Sequence, residues 1–271
     1  MKKHKFTLYF GILLISIILI LFFISFIYLP YPVEEMNIKG RFLPPSKAHL
    51  LGTDHFGRDI FSRVLVSTRS ALAVSVSSVI IGSICGRILG AIAALSPVAI
   101  ESILMRFVDA LMAFPGILSA MMLSAVLGKG VINASIAIAF FMVPVFARLS
   151  YSMILENRKK GYVKAARSYG ASTIRLVVFH MLPDMITRLI TQLSTSIGTA
   201  ILTESSLSFL GLGIQPPGAS LGLMLSEAKG YVLTYPSQAI WPGLVLAIAV
   251  LGFCMLGDGI NSLLHGEKSY E

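Results

Sequence analysis

The segment ENRKKGYVKAARSYGASTIRLVVFHMLP, residues 156–183, decides how the rest of the chain is read. It carries Arg158, Lys159, Lys160, Lys164, Arg167 and Arg175 against the single acid Glu156, and apolar stretches flank it on both sides. A basic excursion between two membrane spans belongs on the cytoplasmic face. Tyr162, Ala165, Ala166 and Tyr169 share one helical stripe, and Ile174, Val177, Val178, Met181 and Leu182 share another. Gly170 separates them and suits the end of one short helix and the turn into the next. Pro183 is expected to mark the end of the second. The residues alone leave two readings open: a unit that docks on a protein partner, and a pair of helices solvated or lying on anionic lipid.

KAARSYG followed nine residues later by HMLP resembles the "EAA" loop of bacterial ABC importer permeases. Ala165, Ala166, Gly170, Leu182 and Pro183 match that pattern. Lys164 stands where the family most often has Glu, and His180 where it often has Ile. The resemblance implies that this loop forms coupling helices that dock on a cytoplasmic ATPase subunit, with Lys164, Ala165, Ala166, Gly170, Leu182 and Pro183 as the coupling residues.

Composition points the same way. Of 271 residues, 55% are hydrophobic and 13% charged, with mean hydropathy +0.82. Soluble domains carry about a quarter charged residues, so the chain reads as an all-α polytopic membrane protein. The net charge of +9 is explained by basic loops beside apolar spans, which argues against nucleic acid as a partner. Cys85 and Cys254 lie within apolar stretches and read as packing residues.

Six spans are expected. The first covers Phe6 to Leu29 and is read as uncleaved, following Lys2, Lys3 and Lys5. Residues 30–58 form an outer loop in which Thr53 or Asp54 caps a helix. A short amphipathic helix from Asp59 lies on the membrane surface. Further spans follow at about Ser70 to Leu95, Phe107 to Leu127 with a kink at Pro115, Val131 to Leu149, Met185 to Leu212, and Gln238 to Leu264. Both termini, including Lys268, fall on the cytoplasmic side. The chain divides into residues 1–69, the first span with its outer loop and surface helix, and 70–271, the permease domain proper.

Gly52, Thr53, Asp54, Gly57, Arg58, Asp59, Ser62 and Arg63 form a GTD, GRD, SR arrangement. It resembles the C-type permease of dipeptide, oligopeptide and nickel importers, as do ILTESSLSFLGLGIQPP and LGDGI further on. Asp54, His55 and Asp59 invite a metal reading, but capping and loop positioning account for them without a completed coordination shell. Gly82, Gly86 and Gly90 recur every four residues on one helix face, where small residues let another helix approach. That neighbour is either a second permease or a helix of the same chain.

Glu204 is the intramembrane charge that stands out. At about 1.5 Å per residue from Met185 it lies roughly 28 Å up its helix, towards the outer leaflet. A carboxylate there faces protein or a watery path. It reads as a translocation-pathway residue or as a satisfied structural hydrogen bond.

Phosphate-loop and zinc-protease patterns are absent from the sequence. Gly218, Ala219, Ser220, Leu221 and Gly222 spell G-x-S-x-G, which makes a nucleophile only at a strand-to-helix elbow. The expectation is therefore a permease subunit without catalytic residues, cofactor or metal. The resemblance implies a second homologous permease, two cytoplasmic ATPase subunits and an extracytoplasmic substrate-binding protein as partners in a bacterial inner or plasma membrane. Di- or oligopeptides are the expected cargo, with nickel or a metal chelate as the alternative. A stand-alone secondary transporter predicts paired midplane charges, whereas Asp109, Arg188, Glu204 and Asp258 are scattered.

Overall fold

The computed structural model describes residues 2–266, all-helical apart from an isolated antiparallel bridge between Thr53 and Asp59. The long helices are α1 (Lys2–Ile27), α2 (Ile60–Leu95), α5 (Val131–Arg158), α8 (Leu182–Phe209) and α10 (Ser237–Gly266). Shorter ones are α3 (Val98–Met112), α4 (Gly116–Leu127), α6 (Gly161–Ser168), α7 (Thr173–Arg175) and α9 (Leu221–Ala228). The tail expected to carry Lys268 on the cytoplasmic side lies outside the described residues.

Among the described residues four helices, α1, α2, α5 and α10, are long and apolar enough to cross a membrane, and α3 with α4 makes five if that bent pair is one span. The expected count of six is not reached on length and apolarity. The shortfall is α8, 28 residues long but rich in Thr and Ser. Its buried face includes Ser194, Ser196, Thr203 and Ser208, hydroxyls that face protein and need no apolar disguise.

Four expectations change. Residues 60–69 are not a separate surface helix: they are the first turns of α2, 36 residues without a break. Asp59, not Thr53 or Asp54, caps it, accepting from the Ser62 amide at 2.8 Å. The span with a kink at Pro115 is two helices meeting at 90° across the Ala113–Pro115 break. Proline lacks the amide donor and disfavours helical geometry in the residue before it, so α3 ends and α4 restarts at Gly116.

Pro183 does not end a helix either. The backbone runs from α7 through a π-helical stretch, Leu176–Met181, directly into α8. The Leu182 amide donates to the Val177 carbonyl, the widened turn of a π-helix. Pro183, which has no amide hydrogen to donate, follows directly on this widened turn as the second residue of α8.

Three apolar cores stack between these helices. One joins α1, α2, α8, α9 and α10 around Ile18, Leu72, Ile201 and Phe253. A second joins α2, α4, α5 and α8 around Val79, Ile138, Phe146 and Leu207. The third, around Met153, Val163, Leu176 and Met181, fixes the basic segment to the ends of α2, α5 and α8.

Candidate functional site: the basic helical segment and the buried charge cluster

Residues 156–183 form a two-helix unit held from below. The C-terminus of α6 closes in a Schellman turn: the Gly170 amide donates to Arg167 O at 3.0 Å and the Ala171 amide to Ala166 O at 3.1 Å. Gly170 has φ +84°, and a Cβ there would touch nothing within 4 Å. Glycine is required by backbone geometry alone. Ala166 and Ala171 pack on the third core, which explains a small residue at 166. Ala165 points outward.

The two expected stripes are divided between the body and the surface. Val163, Leu176 and Met181 are buried, whereas Tyr169, Ile174 and Phe179 are 91%, 78% and 70% exposed. Leu182 and Pro183 lie at the exposed start of α8. Val163 and Leu176 were not part of either stripe; Leu176 opens the π-helical turn, which shifts the period that a 3.6-residue count assumes. Polar clamps complete the unit. Arg188 binds both oxygens of Glu156 at 2.6 and 3.2 Å, and Arg158 donates to Ala94 O at 2.7 Å. Lys160 pairs with Asp184, whose hydrogen bond raises the lysine pKa.

The glycine face of α2 meets α5 of the same chain. A Cβ at Gly82, Gly86 or Gly90 would stand 2.6, 2.4 or 2.2 Å from atoms of Met142, Val143 or Ala147. Those are closer than atoms can come, so the two helices are in backbone contact along this face. The stripe therefore supplies no argument for a second permease.

The GTD, GRD, SR motif folds the 28–59 loop onto the bundle. Thr53 Oγ1 accepts from the Leu43 amide at 2.8 Å and donates to Gly40 O at 2.6 Å. Asp54 Oδ1 accepts from the amides of Phe56 and Arg58 at 2.8 and 3.0 Å, and its Oδ2 takes Arg58 Nε at 2.6 Å. Asp59 takes the Ser62 hydroxyl at 2.8 Å and faces His49 Nδ1 at 2.9 Å. Glu227 on α9, a residue with no sequence signal, accepts from Arg58 and Arg63 at 2.7 and 3.0 Å.

Asp54, His55 and Glu227 bring ligand atoms within 4.8 Å of one another. Asp59 is not among them. A metal does not suit this place. Both carboxylates are already neutralised by buried guanidiniums, and the small cavity beside them is faced by unpaired donors, Arg63 Nη1 and Gln238 Nε2. Burial lowers the His55 pKa below its ordinary value, against the partial pull of Asp54 and Glu227.

Glu204 is fully buried and accepts from Ser208 Oγ at 2.8 Å and Ser205 Oγ at 3.3 Å. Ser208 Oγ in turn accepts from the Ile214 amide at 3.0 Å, tying α8 to the turn beyond it. Beside Ser205 opens an apolar groove of about 360 Å³ lined by Leu202, Phe209 and Leu246. Ser220, the centre of the G-x-S-x-G match, is buried and caps α9 through the Leu223 amide at 3.1 Å.

The family described as binding-protein-dependent transport system inner membrane component matches residues 86–268. The chain is 40% identical over 255 residues to the glutathione transport system permease protein GsiD of Pectobacterium atrosepticum, covering 94% of this chain and 84% of that one. It is 34% identical over 253 residues to the probable D,D-dipeptide transport system permease protein DdpC of Escherichia coli K12, covering 92% and 85%. The inward-facing MetNI methionine ABC transporter shares its fold with TM-score 0.60 at 18% identity, over 71% of this chain and 93% of that one. With its polytopic helices and its basic segment between α5 and α8, this chain belongs to the inner membrane components of binding-protein-dependent transport systems, the permease subunits of ABC importers.

Proposed function

We propose that this permease forms half of a peptide-translocating pathway, with residues 156–183 docked on a cytoplasmic ATPase. The observation that carries the docking is the outward display of Tyr169 and Ile174 from a unit whose inner face is fixed to the bundle. An exposed apolar surface on a braced helical unit calls for a protein partner. Cytoplasmic placement of this segment puts both termini inside and the 28–59 loop outside. A homologous second permease and an extracytoplasmic binding protein complete the assembly.

Peptide cargo rests on the glutathione and D,D-dipeptide relatives. Nickel has no comparable support: among the described residues, the one cluster of metal-binding side chains is closed by arginines. Glu204 belongs to the outer closure of the pathway, beside the groove at Ser205. The chain itself catalyses nothing in this scheme, and Ser220 is a helix cap. The test is reconstitution in vesicles with and without the ATPase subunits. Uptake of a labelled small peptide that requires ATP and the ATPase supports the proposal. Uptake by the permease alone contradicts it.

A further inference from the structure

The surface of the 156–183 unit carries charge that the chain does not answer. The two nearby carboxylates are occupied, Glu156 by Arg188 and Asp184 by Lys160. Lys164, Arg167 and Arg175 are exposed and, among the described residues, form no ion pair. Lys164 and Arg167 are three residues apart on α6, a spacing at which like charges repel. Together with Arg158 they rim a groove of about 300 Å³ floored by Val163, Leu176 and Met181.

Accordingly, we propose that the ATPase surface receiving this segment is acidic, with carboxylates facing Lys164, Arg167 and Arg175 around an apolar seat for Tyr169 and Ile174. The inference rests on the docking reading above and adds the chemistry of the partner. An acidic counterpart relieves the repulsion between Lys164 and Arg167 and steers association. It also selects: an ATPase whose receiving surface is basic meets a like charge here and is rejected. A bilayer of anionic lipid offers the same charge, but a flat surface reaches the rim of a concave groove and not its floor.

The test uses the permease complex with its ATPase subunits, purified in detergent. The charge-reversed variant Lys164→Glu/Arg167→Glu is compared with Lys164→Gln/Arg167→Gln and the native chain. These side chains are exposed and unpaired, so thermal unfolding of the permease should be unchanged. The expected result is at least about tenfold weaker ATPase binding on reversal, an intermediate loss on neutralisation, and native binding that weakens as salt rises from about 0.1 to 0.5 M. Native-level ATPase binding by the reversed variant, or salt-insensitive native binding, overturns the proposal. So does a reversed variant that keeps its ATPase and loses only its affinity for vesicles of anionic lipid, which assigns the charge to the membrane. Docking itself fails separately, if Gly170→Val releases no ATPase.

Discussion

Arg58 donates from Nη2 to Glu227 Oε2 at 2.7 Å, joining positions 169 residues apart. The contact locks the 28–59 loop and the start of α2 to α9. Arg58 and Arg63 are both almost wholly buried, so Glu227 compensates two guanidiniums that water cannot reach. Breaking a buried pair on one side costs about 3–5 kcal/mol, because the surviving charge is left without its partner. Glu227→Ala is expected to lower the unfolding temperature of the detergent-solubilised permease markedly. Glu227→Leu combined with Arg63→Met is expected to recover much of it. An unchanged transition in Glu227→Ala would show that the cluster is not holding the loop.

The 28–59 loop should respond to acid through His55. Its pKa is lowered by burial, so the folded loop favours the neutral imidazole and the unfolded loop takes up the proton more readily. The stabilising contribution is therefore full above the unfolded value near 6.5 and is lost as the pH falls through that value towards the lower folded one. The protection factors of amides across residues 46–59, taken as exchange rates corrected for their intrinsic pH dependence, are expected to fall between about pH 7 and pH 5 in the native chain and to change less in His55→Phe. Equal pH dependence in both would reject this assignment.

The α2/α5 contact leaves no room for a side chain. A Cβ at Gly86 would lie 2.4 Å from Val143 O, and that neighbour is backbone, which yields only by moving a helix. Gly86→Ala should cost about 1–3 kcal/mol, the usual range for overpacking, and Gly86→Leu should abolish stable permease. Gly230, with open space around it, supplies the control: Gly230→Ala should leave the unfolding transition in place.

The fold and the basic segment were legible where local chemistry determines the outcome. Gly170 ends α6 because its backbone needs positive φ, and the glycine face packs closely because nothing larger fits. The unseen parts were those that depend on distance in sequence or on a changed period. Glu227 is a lone acid until α9 folds back over Arg58 and Arg63. Leu176, outside the expected stripe, is buried because a π-helical turn replaces one α-helical turn. The spans near α3 and α8 misled for different reasons: Pro115 breaks its span outright, and α8 buries hydroxyls against protein instead of apolar groups against lipid.

Glu204→Gln preserves an acceptor for Ser208 while removing the charge. Stable assembly and basal ATP hydrolysis are expected to persist, with lower transport stimulated by the binding protein. Full transport by a correctly assembled Glu204→Gln complex would leave Glu204 as a structural tie between α8 and the turn at Ile214.

The account turns on residues 156–183 being the coupling element, and Gly170 isolates that claim. A left-handed residue costs about 1–2 kcal/mol for a side chain other than glycine, asparagine being better tolerated than valine. Because a side chain at 170 meets no neighbouring atom, any effect comes from the turn and not from a clash. The measurement is the amount of ATPase that co-purifies with membrane-inserted Gly170→Val and Gly170→Asn permease. Strong loss with valine and near-native recovery with asparagine is the predicted result. Native amounts of ATPase on the valine variant would contradict the assignment of this segment as the coupling element.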